Sequence, residues 1–231
     1  MRWLGHASFL VELPGGPVWV TDPPDPAVGY PEPEVRADVV TVSHEHYDHN
    51  HVASIRGRPL VLRGLAPGGG WAQVDEAVGN ARFRSVGVYH DARQGAERGR
   101  NAFFVVEADD GQGGRRRYAH AGDLGHVPGP EQVAAIGPVD LLMIPVGGFF
   151  TLEPEEVLRA VERLRPRVVV PMHYATSRTQ GGPGRRGLPI QPLERFLALW
   201  KGPVRSLPDD APLESSPLPA ETEVWAFETF R

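Results

Sequence analysis

A mixed α/β fold with two sheets is predicted by three features of the sequence. Short runs rich in β-branched residues start early and recur, each bounded by Gly, Pro or Asp. Amphipathic stretches of helical period are fewer and are interspersed among the later runs. A length of 231 residues is enough to bury a full core, read here as one domain spanning 1–231. Strands that come early and often, with helices between them, favour two sheets over one.

Strands are expected at 18–22, 37–44, 83–90, 101–109, 117–123, 139–146 and 167–173. The stretch 151–166 predicts a helix, because Val157, Leu158, Val161 and Leu164 share one stripe. Thr151 is its expected N-cap, Glu153, Glu155 and Glu156 suit its positive end, and Pro166 stops it. A second helix is expected over 192–202, closed by Gly202 and Pro203, and a shorter one over 130–137. The segments 22–34, 177–187 and 207–221 are rich in turn residues and read as loops. The Arg115–Arg117 run follows the turn "DDGQGG" and is expected on a solvated sheet edge.

Composition removes several function classes. A net charge of −5 leaves no broad basic footprint for nucleic acid. The chain has no cysteine, which excludes disulfides, thiolate metal sites and cysteine nucleophiles. The opening "MRWLGHASFLVELPGG" has no long apolar run or small-residue cleavage site, and no window reaches the length of a membrane span. A cytoplasmic protein with no membrane partner is expected, and the sequence leaves room for a homo-oligomer.

One regularity concerns chemistry. Asp22, His44, His90, Asp123 and His173 each lie at or just past the C-terminal end of an expected strand. Ligand sites in layered α/β proteins collect beyond strand ends, so these residues can meet at one sheet edge. The stretch "VSHEHYDHNH" (42–51) is the densest part, holding four of the nine histidines. It is not the helical H-E-x-x-H motif, since Asp48 stands four residues after His44. His44 and His46 are two apart and point the same way on extended backbone, while Asp48 and His49 point elsewhere. That division suits two metals side by side, each needing a further ligand from elsewhere in the chain.

H-x-H-x-D-H after an apolar strand resembles the motif of the metallo-β-lactamase superfamily, and residues 44–49 fill it. Downstream pieces follow in that superfamily's order: "VYHD" with His90, "HAGD" with Asp123 and "PMHY" with His173. "WLGHASFLVE", "TDPP", "HAGDLG" and "PMHYAT" resemble one branch of it. That branch holds ascorbate-6-phosphate lactonase-like proteins, N-acyl-phosphatidylethanolamine phospholipase D-like enzymes and metal-dependent hydrolases of unknown substrate. The resemblance implies a four-layer αββα sandwich with two divalent ions at one edge. By it His44, His46 and His90 hold the first ion, Asp48, His49 and His173 the second, and Asp123 bridges them. Asp48 and Asp123 are then the catalytic carboxylates, Asp48 relaying a proton to the leaving group. A hydroxide bridging the ions would cleave an ester, lactone or phosphodiester of a small anionic substrate. Zinc comes first among the metals, with manganese and iron also compatible with a site lacking thiolate. The superfamily's β-lactamases often carry cysteine where Asp123 stands, which argues against antibiotic hydrolysis.

Other residues keep two readings at this point. Asp22 either orients a ligating imidazole or caps an Asp-Pro turn. His6 and His120 either line the site or are hydrogen-bonded core histidines, whereas His51 and His126 read as solvated. Tyr174, Phe149 and Phe150 either wall a pocket or belong to the core. Arg178, Arg185 and Arg186 make the loop 177–187 either a lid for an anion or an ordinary solvated loop. Two other functions remain: an RNA-processing nuclease of the same superfamily, and a non-hydrolytic metal-binding protein. The first lacks an inserted domain or basic exosite in this chain, and the second would be expected to have lost a ligand.

Overall fold

The computed structural model describes residues 1–182, 185–208, 210–211 and 217–227. Two mixed sheets and three short helices form an α/β sandwich. The first sheet takes β1 (Arg2–Gly5), β2 (Ser8–Glu12), β3 (Val18–Thr21), β4 (Val39–Val42) and β5 (Leu60–Arg63) in chain order. The second contains β6 (Asp75–Val78), β7 (Ala81–Tyr89), β8 (Arg100–Asp109), β9 (Arg115–His120), β10 (Leu141–Pro145) and β11 (Val168–Met172). A two-residue hairpin, β12 (Gly181–Gly182) with β13 (Arg185–Arg186), stands apart. The last strands, β14 (Val204–Leu207) and β15 (Glu223–Phe227), complete the second sheet in the order β14-β15-β11-β10-β9-β8-β7-β6.

The sheets bury a shared face. Along β3, Trp19 enters the main core and Val20 the smaller cluster on the opposite side, as alternation requires. Trp19 meets Phe83 of the second sheet edge-on, with ring centroids 5.8 Å apart. Its indole nitrogen donates to Thr41 Oγ1 at 2.9 Å, so the one polar atom of this buried ring is satisfied. Strands β10 and β11 pair in parallel and are buried at every position, which explains their unbroken apolar sequence. Helices α1 (Pro130–Ile136), α2 (Pro154–Leu164) and α3 (Leu193–Leu197) add buried residues such as Ile136, Val157 and Phe196 to this core. The outer face of the first sheet is covered differently. Val35 and Ile55, from the loops flanking β4 and β5, pack there, and among the described residues no α-helix precedes Pro130.

Several expectations need correction. The N-cap of α2 is Glu153, not Thr151, because Pro154 lacks an N–H and suits the first helical position. α3 stops at Leu197, short of the expected 192–202. The Arg115–Arg117 run opens β9, which lies between β8 and β10 and is therefore interior. Arg116 is buried, and Arg117 pairs with Glu107 on the neighbouring strand at 2.7 Å. Strands β1, β2, β5, β6, β14 and β15 were not anticipated; each has only four or five residues. Among the described residues no helix is long and apolar enough to cross a membrane.

Because Phe83 is fully buried at the join between the sheets, Phe83→Ala should cost about 3–5 kcal/mol of unfolding free energy in urea titration. Leu60→Ala, at an exposed position of β5, should stay within about 0.5 kcal/mol. Similar losses at the two positions would contradict this core.

Candidate metal centre

Strand ends build the site. His6 follows β1, Asp22 follows β3, His44 lies two residues past β4, His90 follows β7, Asp123 lies three past β9 and His173 follows β11. His6, Asp22 and His173 have φ of 53°, 31° and 53°, a left-handed backbone that non-glycine residues rarely adopt. Such positions cost on the order of 1–3 kcal/mol each and persist where surrounding contacts fix them. Here the fixing contacts are backbone bonds. The His173 amide donates to the His6 carbonyl at 3.1 Å, and the Asp22 amide donates to the Thr41 carbonyl at 2.9 Å.

Two groups of side chains result. His44, His46 and His90 bring one ligating atom each within 4.8 Å of one another. His6, Asp48, His49 and His173 do the same beside them. The Asp123 carboxylate lies between. Its Oδ2 is 3.1 Å from His90 Nε2 and 3.8 Å from His44 Nε2. Its Oδ1 is 3.1 Å from His49 Nε2 and 3.4 Å from His173 Nε2. One carboxylate therefore addresses each group with a different oxygen.

The supporting residues are buried too. Asp22 accepts from the Ser43 amide at 2.8 Å, the Ser43 hydroxyl at 2.5 Å and His49 Nδ1 at 2.9 Å. Asp22 also comes within ligating reach of His44 and His49, but it binds His49 on its Nδ1 side and leaves Nε2 facing Asp123. Asn101 donates to the Ala121 carbonyl at 2.8 Å and accepts from the Asp123 amide at 3.3 Å. Close backbone approach demands glycine at two places in "HAGDLG". A methyl on Gly122, whose φ is +53°, would lie 2.3 Å from Asn101 Oδ1, and one on Gly125 would lie 2.2 Å from the His90 backbone.

Charge in this buried space is unbalanced. Burial opposes ionisation of Asp123, yet the fields of His173, His49 and His90 hold its carboxyl well below the usual carboxylate range. Asp48 is likewise held below that range, where His49 and His6 outweigh its burial. Burial works against a charged His49 as well, but Asp123 and Asp48 raise it well above an ordinary histidine. Burial and the neighbouring His49 lower His44 well below its ordinary value, and burial with His173 takes His6 down to about 4. The carboxylates thus call for a cation, and His44 and His6 resist supplying it by protonation. His49 Nε2, His173 Nε2 and Asp123 Oδ1 are buried without a hydrogen bond and converge on one another. An imidazole and carboxylate donor set with unsatisfied convergent atoms fits a divalent metal ion.

All seven expected ligands, His44, His46, Asp48, His49, His90, Asp123 and His173, therefore meet at one edge. Asp22 supports the imidazole of His49 rather than merely capping a turn. His6 belongs with the second group: its Nε2 is 3.1 Å from Asp48 Oδ2 and its ring centroid 3.9 Å from that of His173. His120 turns to the Ala7 carbonyl at 2.8 Å and is a core histidine. His51 is half-buried near Asp25, and His126 accepts from the Tyr89 amide. Neither reads as fully solvated. Tyr174 is buried, Phe149 exposed, and Phe150 lines a cavity of about 350 Å³ beside His46, Asp48, His90 and Asp123. That cavity also receives Arg98, which sequence reasoning passed over. Asn101, Ser43 and Gly125 were missed as well, and only the nearness of Ser43 to the histidine cluster offered a signal. Of the loop 177–187, read as either a lid or an ordinary solvated loop, residues 183–184 and the side chains of Arg185 and Arg186 lie outside the described residues.

Residues 1–173 match the family model described as "Beta-lactamase superfamily domain". The chain belongs to the beta-lactamase superfamily, among its metal-dependent hydrolases. A "UPF0173 metal-dependent hydrolase" of Pyrobaculum neutrophilum is 31% identical over 198 residues, covering 76% of this chain and 84% of the relative. One from Thermococcus onnurineus is 33% identical over 200 residues, with the same 76% and 84% coverage. A crystal structure of a metallo-beta-lactamase superfamily protein from Thermotoga maritima superposes with a TM-score of 0.72 at 30% identity. It covers 99% of this chain and 98% of that one, so the superfamily fold extends beyond residue 173.

Within this superfamily fold Asp22 is a buried anchor whose loss is measurable without any metal. Asp22→Ala strands the His49 and Ser43 donors and should cost about 3–5 kcal/mol in urea denaturation of the chelated protein. Asp22→Asn keeps part of the hydrogen bonding and should lose less. An Asp22→Ala protein of unchanged stability would contradict this anchoring.

Proposed function

We propose that the protein is a dinuclear metal-dependent hydrolase of an ester, lactone or phosphodiester in a small anionic substrate. The observation that supports this reading is the Asp123 carboxylate, with one oxygen toward each of two ligand groups. His44, His46 and His90 would hold one ion, Asp48, His49 and His173 the other, and Asp123 both. Two divalent ions there, zinc foremost and manganese or iron also compatible, would activate water near neutral pH and polarise the scissile carbonyl or phosphoryl oxygen.

The chain's own residues do the rest. Asp48 is ionised and can only accept, so its 3.1 Å contact with His6 Nε2 assigns the His6 proton to that nitrogen. This bond fixes the Asp48 carboxylate at the cavity wall, where it is placed to take a proton from the attacking water and hand it on to the departing oxygen. Asp22 and Asn101 hold His49 and Asp123 in orientation. The cavity, about 350 Å³, suits a small molecule better than a polymer. A net charge of −5 supports a small-molecule substrate over nucleic acid.

Metal analysis with a panel of generic esters and phosphodiesters tests the proposal. Two equivalents of divalent metal per chain and turnover abolished by chelator are expected. Asp123→Ala should lose at least one equivalent and most of the rate. A wild type that binds no metal above background, or an Asp123→Ala protein with full metal and rate, would overturn it.

A further inference from the structure

The cavity beside the metal groups has lining residues that the chemistry above does not use. Arg98, Glu97, Phe150 and Leu188 line it together with His46, Asp48 and Asp123. Its guanidinium carbon lies 5.9 Å from the Phe150 ring centroid, within reach of a cation–π contact. Among the described residues this guanidinium makes no hydrogen bond. Its nearest carboxylate contact is Glu97 at 3.6 Å, too long for one. Glu97 is moreover shared, since Arg93 approaches its other oxygen at 3.0 Å.

The segment that carries Arg98 is built rather than loose. It leaves His90 and folds around the next side chain, the buried carboxylate of Asp91. Asp91 Oδ1 accepts from the amides of Arg93 and Gly95 at 2.8 and 2.9 Å. Its Oδ2 accepts from the amides of Glu97 and Arg98 at 3.0 and 2.8 Å. Four amide donors on one carboxylate fix the path of the loop, and the last of them belongs to Arg98 itself. The His90 amide bonds to the Gly99 carbonyl at 3.1 Å and closes the loop at its base. A ligand residue and a cation of the same cavity lining are thus positioned by one eight-residue excursion.

We propose that Arg98 binds a second anionic group of the substrate, set apart from the scissile bond by an apolar spacer lying along Phe150 and Leu188. The substrate class that follows is a small ester or lactone bearing a carboxylate or phosphate tail. Guanidinium pairs with either anion in bidentate fashion, and a preorganised loop spares the cost of ordering it on binding. The partial exposure of Arg98, 32% for its side chain, leaves it accessible from the cavity. This inference rests on the hydrolase reading for its reaction but not for its binding.

Zinc-loaded wild type, Arg98→Ala and Arg98→Lys proteins, with metal content measured in each, would be assayed on two esters. These are 4-nitrophenyl acetate, which is neutral, and the mono-4-nitrophenyl ester of glutarate, which carries a carboxylate tail. Arg98→Ala should raise KM for the glutarate ester about tenfold or more with little change in kcat, leave the acetate ester unchanged and keep its metal. Arg98→Lys should fall between, since lysine restores the charge without the fork. Equal effects on both esters, or none on either, would overturn the assignment. If wild type hydrolyses neither ester, the failure belongs to the hydrolase reading on these probes, and calorimetry then decides the inference. Glutarate and phenyl phosphate would be titrated into the same three proteins. A loss of about tenfold in affinity on Arg98→Ala for one of them upholds the subsite and names the tail. Unchanged affinity for both overturns it.

Discussion

The Asp22 carboxylate, shut away from solvent, is the fixed point of the site. A buried carboxyl group is costly unless its oxygens are satisfied, and here three donors converge on it. Two of them come from Ser43 and one from His49, so a single side chain sets both the start of the histidine loop and the orientation of one imidazole. Ser43 passes the constraint on through its hydroxyl, which lies 2.9 Å from His44 Nδ1. The sheet delivers these partners. Parallel pairing of β3 with β4 places Thr21 opposite Thr41, and the residues just beyond each strand then meet. A slip of one residue in that pairing would turn the loop to the other face.

The same edge is where the two sheets are stitched together. Their shared interior is apolar, but at the site backbone bonds cross between them. His173 donates its amide to His6, Ala102 donates its amide to Ser43, and the His120 ring reaches the Ala7 carbonyl at 3.1, 3.1 and 2.8 Å. His6, His44, His46, Asp48 and His49 come from the first sheet, while His90, Asp123 and His173 come from the second. Asp123 then stands where the two contributions meet. The strained backbone at His6, Asp22 and His173 is part of this arrangement, since a strand continuing straight would carry each side chain past the edge.

How much of this the sequence disclosed depended on distance along the chain. The cluster 44–49 was legible because its residues are contiguous and their spacing alone separates two directions. His90, Asp123 and His173 could be grouped with it because each lies at or just past the end of an expected strand and matches the superfamily's order of motifs. His6 was left open because its place depends on the pairing of β1 with β2 and on a left-handed turn after Gly5, neither visible in a four-residue run. Asn101 and Arg98 precede or open a strand whose neighbours lie elsewhere in the chain, so nothing local marks them. Arg116 looked solvated because the strand that makes β9 interior, β10, begins more than twenty residues later. The cap of α2 was misplaced for a local reason, a proline whose preference for the first helical position outranks a nearby threonine.

On the proposed reading, one carboxylate, Asp123, divides the site into two metal positions. Anomalous diffraction at the zinc edge from crystals of the zinc-loaded protein tests it most directly. Two peaks are expected to flank the Asp123 carboxylate, one among His44, His46 and His90 and the other among Asp48, His49 and His173. A single peak at full zinc loading, or peaks that leave Asp123 uncoordinated, would contradict it.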